Sequence, residues 1–268
     1  MLRFSGSGVT DTGLVREHNE DAAFVGPYVS LVADGVGGAA AGEIASATVA
    51  YVVAATALSR CTQDPGTVLR AAAEAARANL VAGVQQDESR RGMATTLSAV
   101  VCDGHRVVLG HVGDSRVYLW RAGVLRQVSR DHTWVQQLVD EGRITAEAAG
   151  RHPWRNVVVR SLDGSDVMPV ELDVLELDVR EGDRLLLCSD GLTDLVPDTR
   201  IAQVLECEDP AAAAAGLARE ALAAGGRDNV TCVVLDLVDG PSVVGDGQLL
   251  GAVTDPANIV DPAAVHLV

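Results

Sequence analysis

The sequence contains no lysine, so all 21 of its basic residues are arginine. This absence excludes every mechanism that depends on a lysine side chain. Among these are the P-loop of nucleotide-binding proteins, the catalytic lysine of protein kinases and the Schiff-base enzymes.

Paired cysteines are also absent. The five cysteines form no CxxC pair, their number is odd, and residues 1–6 lack the apolar core of a secretory leader. Structural disulfides are typical of oxidising compartments, so this cysteine usage predicts a cytoplasmic protein. Cys102, Cys188 and Cys232 lie in apolar, strand-like runs, where cysteine usually behaves as a small hydrophobic residue.

The sequence has no long hydrophobic run and no basic patch. The longest apolar stretch, Ala47 to Leu58, is shorter than the ~20 residues that a membrane span needs. The formal net charge is −16, with a pI near 4.6, and such a protein is repelled by nucleic acids and anionic membranes. We therefore expect no membrane and no nucleic-acid partner.

Strand-like and helix-like segments alternate in blocks along the 268 residues. Short apolar runs up to Ala33 predict strands, 41–60 and 64–87 predict two long helices, and 95–128 predicts an antiparallel meander. Two further strands, at 172–177 and 184–188, precede helices at 199–205 and 209–224 and a last strand at 230–237. This block pattern predicts an α+β fold with two antiparallel sheets covered by helices. We expect one domain over 1–238 and a C-terminal tail, 239–268, that can pack on it.

Aspartates collect at the ends of these predicted strands. Asp34, Asp114 and Asp190 each follow an apolar strand, while Asp21 and Asp228 each precede one. Asp34 opens a glycine-rich stretch, Asp34 to Gly38, which taken alone is equally typical of a tight turn. Two antiparallel sheets can bring these ends together, and converging carboxylates repel one another unless a cation neutralises them. An all-oxygen ligand set favours Mg²⁺ or Mn²⁺ over zinc.

The motifs, taken in order, resemble those of the PPM-type (type 2C) metal-dependent serine/threonine protein phosphatases, bacterial branch. The resemblance covers about residues 8–237 and rests on short segments that occur in the family's order. They are Arg16 to Asp21, Asp34 to Gly38, Gly92 to Thr96, Gly113 to Arg116, Asp131 to Thr133, Ser189 to Leu192 and Asp228 to Thr231.

The resemblance implies a four-layer α-β-β-α sandwich, two antiparallel sheets flanked by helix pairs, with a binuclear Mn²⁺ or Mg²⁺ centre at one end. Carried over by motif, Asp34 would bridge both ions, and the Gly35 carbonyl, Asp190 and Asp228 would complete their shells. Asp21 would act mainly through bound water, and Asp114 would bind a third, weaker ion.

The resemblance also implies hydrolysis of phosphoserine and phosphothreonine in proteins by metal-activated water. Arg16 would hold the substrate phosphate, since a guanidinium matches phosphate oxygens in bidentate fashion; the competing interpretation is a surface ion pair with Glu20. No cysteine is followed six positions later by arginine, which agrees with a mechanism without a covalent enzyme intermediate. We expect a monomer whose partners are phosphorylated proteins, namely serine/threonine kinases and their substrates.

One departure concerns the general acid. Animal members of the family place a histidine directly after the Asp-Gly pair, whereas this chain has Val36. Bound water or His132 could protonate the leaving group, although a lone histidine is more often structural. The segment from Asp131 to Gly164 is the expected flap for substrate choice.

Two other functions stay open at this point. The first is a catalytically silent phosphoprotein-binding or regulatory domain of the same fold, against which the complete set of aspartates argues. The second is a phosphatase that controls a sigma-factor switch, which the Arg16 segment and the Gly113 to Arg116 motif fit less well.

Overall fold

The computed structural model of the chain describes residues 1–36, 41–60, 63–165, 170–245 and 247–263. These residues form thirteen strands, and every strand pair among them is antiparallel. In chain order the strands are β1 (Leu2–Asp11), β2 (Asp21–Val25), β3 (Val29–Val36), β4 (Ala94–Thr95), β5 (Leu97–Cys102), β6 (Val107–Val112), β7 (Arg116–Arg121), β8 (Val124–Gln127), β9 (Leu162–Asp163), β10 (Asp173–Leu177), β11 (Arg184–Cys188), β12 (Val230–Asp239) and β13 (Gln248–Gly251).

The strands are divided between two sheets. The five-stranded sheet has the order β1-β12-β11-β7-β8, and the other has the order β10-β6-β5-β3-β2-β13, with β4 and β9 attached at the end of β3. The first strand pairs along its whole length with the twelfth, from Leu2 opposite Asp239 to Asp11 opposite Val230.

Seven α-helices lie in the described residues. They are α1 (Gly42–Ser59), α2 (Pro65–Gln86), α3 (Trp134–Asp140), α4 (Ala146–Gly150), α5 (Asp190–Thr193), α6 (Asp198–Val204) and α7 (Pro210–Ala223), with 3-10 turns at Glu88–Arg90, Ala252–Thr254 and Pro256–Asn258. The starts of α2 and α7 follow one rule. Asp64 and Asp209 accept hydrogen bonds from the first backbone N–H groups, and proline occupies the next position, where its missing N–H costs nothing.

Three hydrophobic layers show that the architecture is the predicted four-layer sandwich. Leu31 of β3 packs under α1 and α2, whereas its neighbour Val32 packs between the two sheets. On the opposite sheet, Val233 faces the layer between the sheets and Val234 packs against α7. Successive strand residues point to opposite faces, so a run of consecutive apolar residues is what a sheet covered on both sides requires.

The expected meander over 95–128 is wrong, because its four strands belong to two different sheets. β5 and β6 pair in the larger sheet, while β7 and β8 pair in the five-stranded sheet. The chain crosses between the sheets in the link Gly113-Asp114-Ser115, which joins β6 to β7. The local pattern of alternating strands and turns is the same for one sheet or two, so it could not distinguish them.

The strand that carries Asp34 is longer than predicted. We expected a strand over 30–33 with Asp34 at the sheet's edge, in a turn, but β3 continues to Val36. Gly35 and Val36 pair with Thr95 and Ala94 of β4, a two-residue strand that supports this extension. Gly37 and Gly38, the rest of the glycine-rich stretch, lie outside the described residues.

One helix in the described residues, α1, is long and apolar enough to cross a membrane by length and composition. Here 67% of its residues are buried inside the protein. It packs on α2 and β3, as a core helix does.

The chain after β12 returns to the body. β13 pairs with β2, placing Gln248 opposite Val25 and Gly251 opposite Ala22. The two 3-10 turns that follow pack against α1, and Ala252 and Val253 join the core beneath that helix.

Candidate metal centre

A cavity of about 180 Å³ lies where the ends of β3, β11 and β12 meet. It brings together six of the seven predicted site residues: Arg16, Asp34, Gly35, Asp114, Asp190 and Asp228. The remaining lining residues are Glu20, Val36, Asn156, Val158 and Asn229. The seventh predicted residue, Asp21, lies behind this wall and is fully buried.

The sheet topology explains why residues so distant in sequence converge. Asp21 begins β2 and is directly opposite Asp34 in β3. Asp190 is the first residue of α5, which follows β11, and Asp228 precedes β12, the neighbour of β11. Asp114 lies in the link that crosses between the sheets. Four of the aspartates thus mark places where the chain enters or leaves a sheet, whereas Asp34 lies inside β3, two residues before its end.

Asp21 is a buried carboxylate with only half of its hydrogen-bonding capacity used. Its Oδ2 accepts a hydrogen bond from Ser189 Oγ at 2.7 Å, while its Oδ1 is buried without a partner. Burial raises the pKa of Asp21 from 3.8 to about 6, although the nearby hydroxyl groups of Thr231 and Ser189 oppose the rise. A buried oxygen without a partner costs free energy, so a cation near Asp34 would find a ready ligand or water acceptor here.

The other carboxylates of the cavity also resist ionisation. Burial first, and then the charges of Asp21, Asp190, Asp114 and Asp228, raises the pKa of Asp34 well above its usual value. Burial and the neighbouring Asp114 similarly raise the pKa of Asp190. Like charges gathered in a desolvated place disfavour the ionised form, so a cation bound here would favour ionisation of these carboxylates.

Asp114 is 8% exposed. Burial, with the charge of Asp131 as the next cause, raises the pKa of Asp114 to about 7.

Arg16 is held by Asp228 and not by Glu20. Its Nη2 donates to Asp228 Oδ2 at 2.7 Å, and Asp228 Oδ1 accepts from the backbone N–H of Asn229 at 2.8 Å. Both Asp228 oxygens therefore have protein partners in this structure. Glu20 lies close enough to affect Arg16 through its charge, but the ion pair of the competing interpretation does not form between them.

Asn229 is the residue that the sequence interpretation missed. It is 5% exposed, and its Nδ2 donates to the carbonyls of Thr12 and His18, each at 2.9 Å. Its Oδ1 accepts from the Glu20 N–H at 2.8 Å. One side chain thus fixes the loop that presents Arg16. It lies in the Asp228 to Thr231 motif, which was recognised as a whole without a role for this residue.

Gly35 occupies a position where the chain cannot carry a side chain. A Cβ atom there would lie 2.5 Å from the Gly42 carbonyl oxygen and 2.9 Å from that of Glu20. The start of α1 is therefore packed directly on the backbone of β3. Asp34 beside it is fixed through its main chain, since its N–H donates to Thr96 Oγ1 and its carbonyl accepts from Thr95 Oγ1.

His132 has structural partners and does not line the cavity. Its Nδ1 accepts from the Gly113 N–H at 3.1 Å, and its Nε2 lies 3.2 Å from Asp173 Oδ2 and 3.1 Å from Arg160 Nη1. It is 6% exposed and stacks on His111 at 5.0 Å between ring centroids. Burial lowers the pKa of His132. These contacts favour the structural interpretation over a role as general acid.

The neighbouring motif residues form an ion pair. Arg116 Nη2 donates to Asp131 Oδ2 at 2.6 Å, and Arg116 Nε contacts both oxygens of the same carboxylate. The pair, together with the bond between Gly113 and His132, fastens the link after β6 to the start of the segment 131–164. These motif residues hold the start of the segment 131–164 beside the link that carries Asp114.

A second cavity, of about 410 Å³, shares Asp114, Asn156 and Asp190 with the first. Its other walls come from α3, α4 and the turn around Asp194. Asp194 Oδ2 accepts from Asn156 Nδ2 at 2.6 Å and from Arg155 Nη2 at 3.1 Å, which connects the segment 131–164 to the end of α5. The carboxylate site therefore opens beside this segment.

The donor set fits a hard cation. The side-chain donors lining the 180 Å³ cavity comprise five carboxylates and neither histidine nor cysteine. In the described part of the chain, no three Asp, Glu, His or Cys side chains already surround one point closely enough to hold an ion. The geometry gives one reason: Asp228 is turned to Arg16 and Asn229, so ion binding requires this carboxylate to exchange partners.

The chain is similar in sequence and in structure to proteins of one known family. A family model described as Protein phosphatase 2C matches residues 15–224, which include six of the seven predicted site residues; Asp228 lies four positions beyond the match. The chain belongs to the protein phosphatase 2C family.

Bacterial members of this family resemble the chain over most of its length. The serine/threonine protein phosphatase PstP of Mycobacterium tuberculosis is 45% identical over 242 residues, which is 89% of this chain and 46% of PstP. The serine/threonine phosphatase stp of Listeria monocytogenes is 34% identical over 85% of this chain and 93% of its own length. The chain thus spans about half the length of PstP and nearly all of the Listeria protein.

A solved structure of the family contains metal. The crystal structure of the PstP catalytic domain in complex with two manganese ions is 43% identical, with a TM-score of 0.78, over 89% of this chain and 100% of that one. The two-sheet fold found here is therefore that of a protein phosphatase 2C catalytic domain.

Proposed function

We propose that the chain is a serine/threonine protein phosphatase that depends on two Mn²⁺ or Mg²⁺ ions, with a third, weaker ion at Asp114. The observation that carries the proposal is the cavity in which Asp34, Asp190 and Asp228 converge beside Arg16. A cation would allow these carboxylates to ionise despite their raised pKa values, and the adjacent guanidinium could bind a phosphate. The PstP catalytic domain, with its two manganese ions, supports the same conclusion.

The residues that would hold the ions are Asp34, which lies centrally among the carboxylates, together with the Gly35 carbonyl, Asp190 and Asp228. When bound, the ions would supply a water molecule of lowered pKa and neutralise the phosphate oxygens. Asp21 would hold a water molecule through its unpartnered Oδ1 and orient it toward Asp34. Ser189, by donating to the other oxygen of Asp21, fixes the direction of this carboxylate.

Arg16 would bind the phosphate of the substrate and orient it. It is 46% exposed, lines the cavity and sits on a loop that Asn229 anchors, so it can reach a phosphoprotein docked at the surface. When Asp228 turns toward an ion, Arg16 would lose its hydrogen bond to Asp228 and bind the phosphate instead. No histidine lines this cavity, so we assign protonation of the leaving group to a water molecule and not to His132.

The substrates we propose are phosphorylated proteins, including serine/threonine kinases and the proteins that they modify. We also propose that the protein is a monomer and that it is located in the cytoplasm. The four cysteines in the described residues are unpaired, and burial raises the pKa of Cys188 to about 12, which fits unreactive thiols in a reducing compartment.

A phosphothreonine-peptide assay tests the proposal. Purified protein should release phosphate with added Mn²⁺ and not with a chelator. Asp34→Asn and Asp190→Asn should each remove nearly all of this activity while far-UV circular dichroism stays unchanged. Asp114→Asn should slow turnover with the two main ions still bound. A wild-type protein that binds phosphopeptide but releases no phosphate with Mn²⁺ would show the catalytically silent alternative.

A further inference from the structure

The chain from Gln248 to Ala263, called the C-terminal segment below, lies outside the residues 15–224 that match the family model. It is nevertheless part of the fold, since β13 adds a strand beside β2 and the two 3-10 turns pack on α1. Ala252 and Val253 are only 7% and 2% exposed. The segment therefore touches the two elements that flank the candidate metal centre.

The contact with β2 is closest at Asp21. Gly251 has φ of 76°, a conformation that glycine adopts readily, and a Cβ atom there would lie 2.2 Å from the Asp21 carbonyl oxygen. Asp21 is thereby enclosed from both sides, by Asp34 across the β2–β3 pair and by Gly251 from the C-terminal segment. Only a residue without a side chain permits this approach.

The contact with α1 is made by hydrogen bonds. Thr48 Oγ1 donates to the Asn258 carbonyl at 3.3 Å and accepts from the Val260 N–H at 3.1 Å. Tyr51, three residues further along α1, donates to the Pro262 carbonyl at 3.1 Å. The first residue of α1, Gly42, rests on Gly35. The segment thus holds the helix whose start supports the strand of Asp34.

We propose that the C-terminal segment is a positioning element of the metal centre and that Gly251 sets the main chain of Asp21 against Asp34. The inference rests on the proposed function, because it concerns the ions that Asp21 and Asp34 would serve. Ligand groups must be held within about 0.5 Å of their productive geometry, so a displaced β2 main chain weakens metal binding before it unfolds the protein.

The full-length variant Gly251→Ala tests the proposal. Its added Cβ must push β13 away from Asp21, so the dissociation constant for Mn²⁺, measured by calorimetry at 20 °C, should rise at least tenfold. The matched control is Leu217→Ala, which truncates a fully buried side chain of α7 in a different hydrophobic layer from the one that the segment joins. The control should lower the thermal midpoint and leave Mn²⁺ affinity unchanged.

A second variant, Thr48→Val, keeps the test decisive if Gly251→Ala does not fold. It deletes both hydrogen bonds to the segment without adding bulk, and we expect a three- to tenfold weaker Mn²⁺ affinity. Unchanged affinity in the folded variants, or an equal loss in Leu217→Ala, would overturn the proposal and leave the segment a stabilising element only. Failure of the wild-type protein to bind Mn²⁺ would instead refute the proposed function.

Discussion

Removing the charge of Asp21 should change how the stability of the metal-free protein depends on pH. Burial raises the pKa of this carboxyl from 3.8 to about 6, which corresponds to about 3 kcal/mol, since each pKa unit is worth 1.36 kcal/mol. The folded state binds the proton more tightly than the unfolded state, so folding becomes more favourable as the pH falls. The contribution changes between about pH 7 and pH 4.

About half of this free energy falls between pH 8 and pH 5, where the folded carboxyl takes up its proton and the unfolded one stays mostly ionised. With a chelator present, the free energy of unfolding of the wild-type protein should therefore rise on going from pH 8 to pH 5. In Asp21→Asn this rise should be smaller by about 1–2 kcal/mol, because the amide does not titrate and the neutral side chain also relieves the repulsion on Asp34.

Urea unfolding at pH 5 and pH 8 measures both quantities. Comparing the two pH values within each variant removes any constant cost of burying the amide. Glu147→Gln is the control, since this carboxylate is 77% exposed and should leave the pH dependence as in the wild type. Saturating Mn²⁺ should stabilise the wild-type protein most at pH 8. An equal pH dependence in Asp21→Asn and the wild type would refute the argument.

Three further outcomes follow from single contacts. Asn229→Ala removes the three hydrogen bonds that hold the loop of Arg16, so it should raise the KM for phosphopeptide by at least about tenfold, or ~1.4 kcal/mol, with less change in kcat; steady-state kinetics showing an unchanged KM would contradict this. His132→Asn should lower the thermal midpoint yet keep the pH profile of kcat, whereas loss of one limb of that profile would restore His132 as general acid. Leu186→Ala, fully buried under α7, should cost about 2–5 kcal/mol in urea unfolding, and a loss below 1 kcal/mol would mean that this layer repacks.

The sequence predicted the fold where local pattern and burial agree. The apolar runs of β3 and β12 are buried on both faces, so their continuous hydrophobicity indicated strands between covering layers. The sequence did not predict which strands pair, since β6 and β7 were expected to be neighbours although they lie in separate sheets. β13 is too short to stand out, because its four residues acquire strand geometry only from β2.

The predicted site residues were placed together by motif order, but their contacts depend on three-dimensional distance. The strand register places Asp21 opposite Asp34, and a side-chain contact joins Arg16 to Asp228. The spacing of residues in the sequence specifies neither of them. The metal roles of these residues stay predictions until ions are bound. Asn229 was missed because a buried asparagine that accepts one bond and donates two looks, in sequence, like any turn residue.

The pairing of β1 with β12 has a consequence for synthesis on the ribosome. Leu2 lies opposite Asp239, so β1 has no partner strand until β12, far along the chain, has left the exit tunnel. The five-stranded sheet therefore closes late, and its folding is dominated by contacts of high sequence separation, which are slow to form. During that interval β1 exposes the unpaired backbone groups of its edge, and a nascent chain depends most on a chaperone in this period.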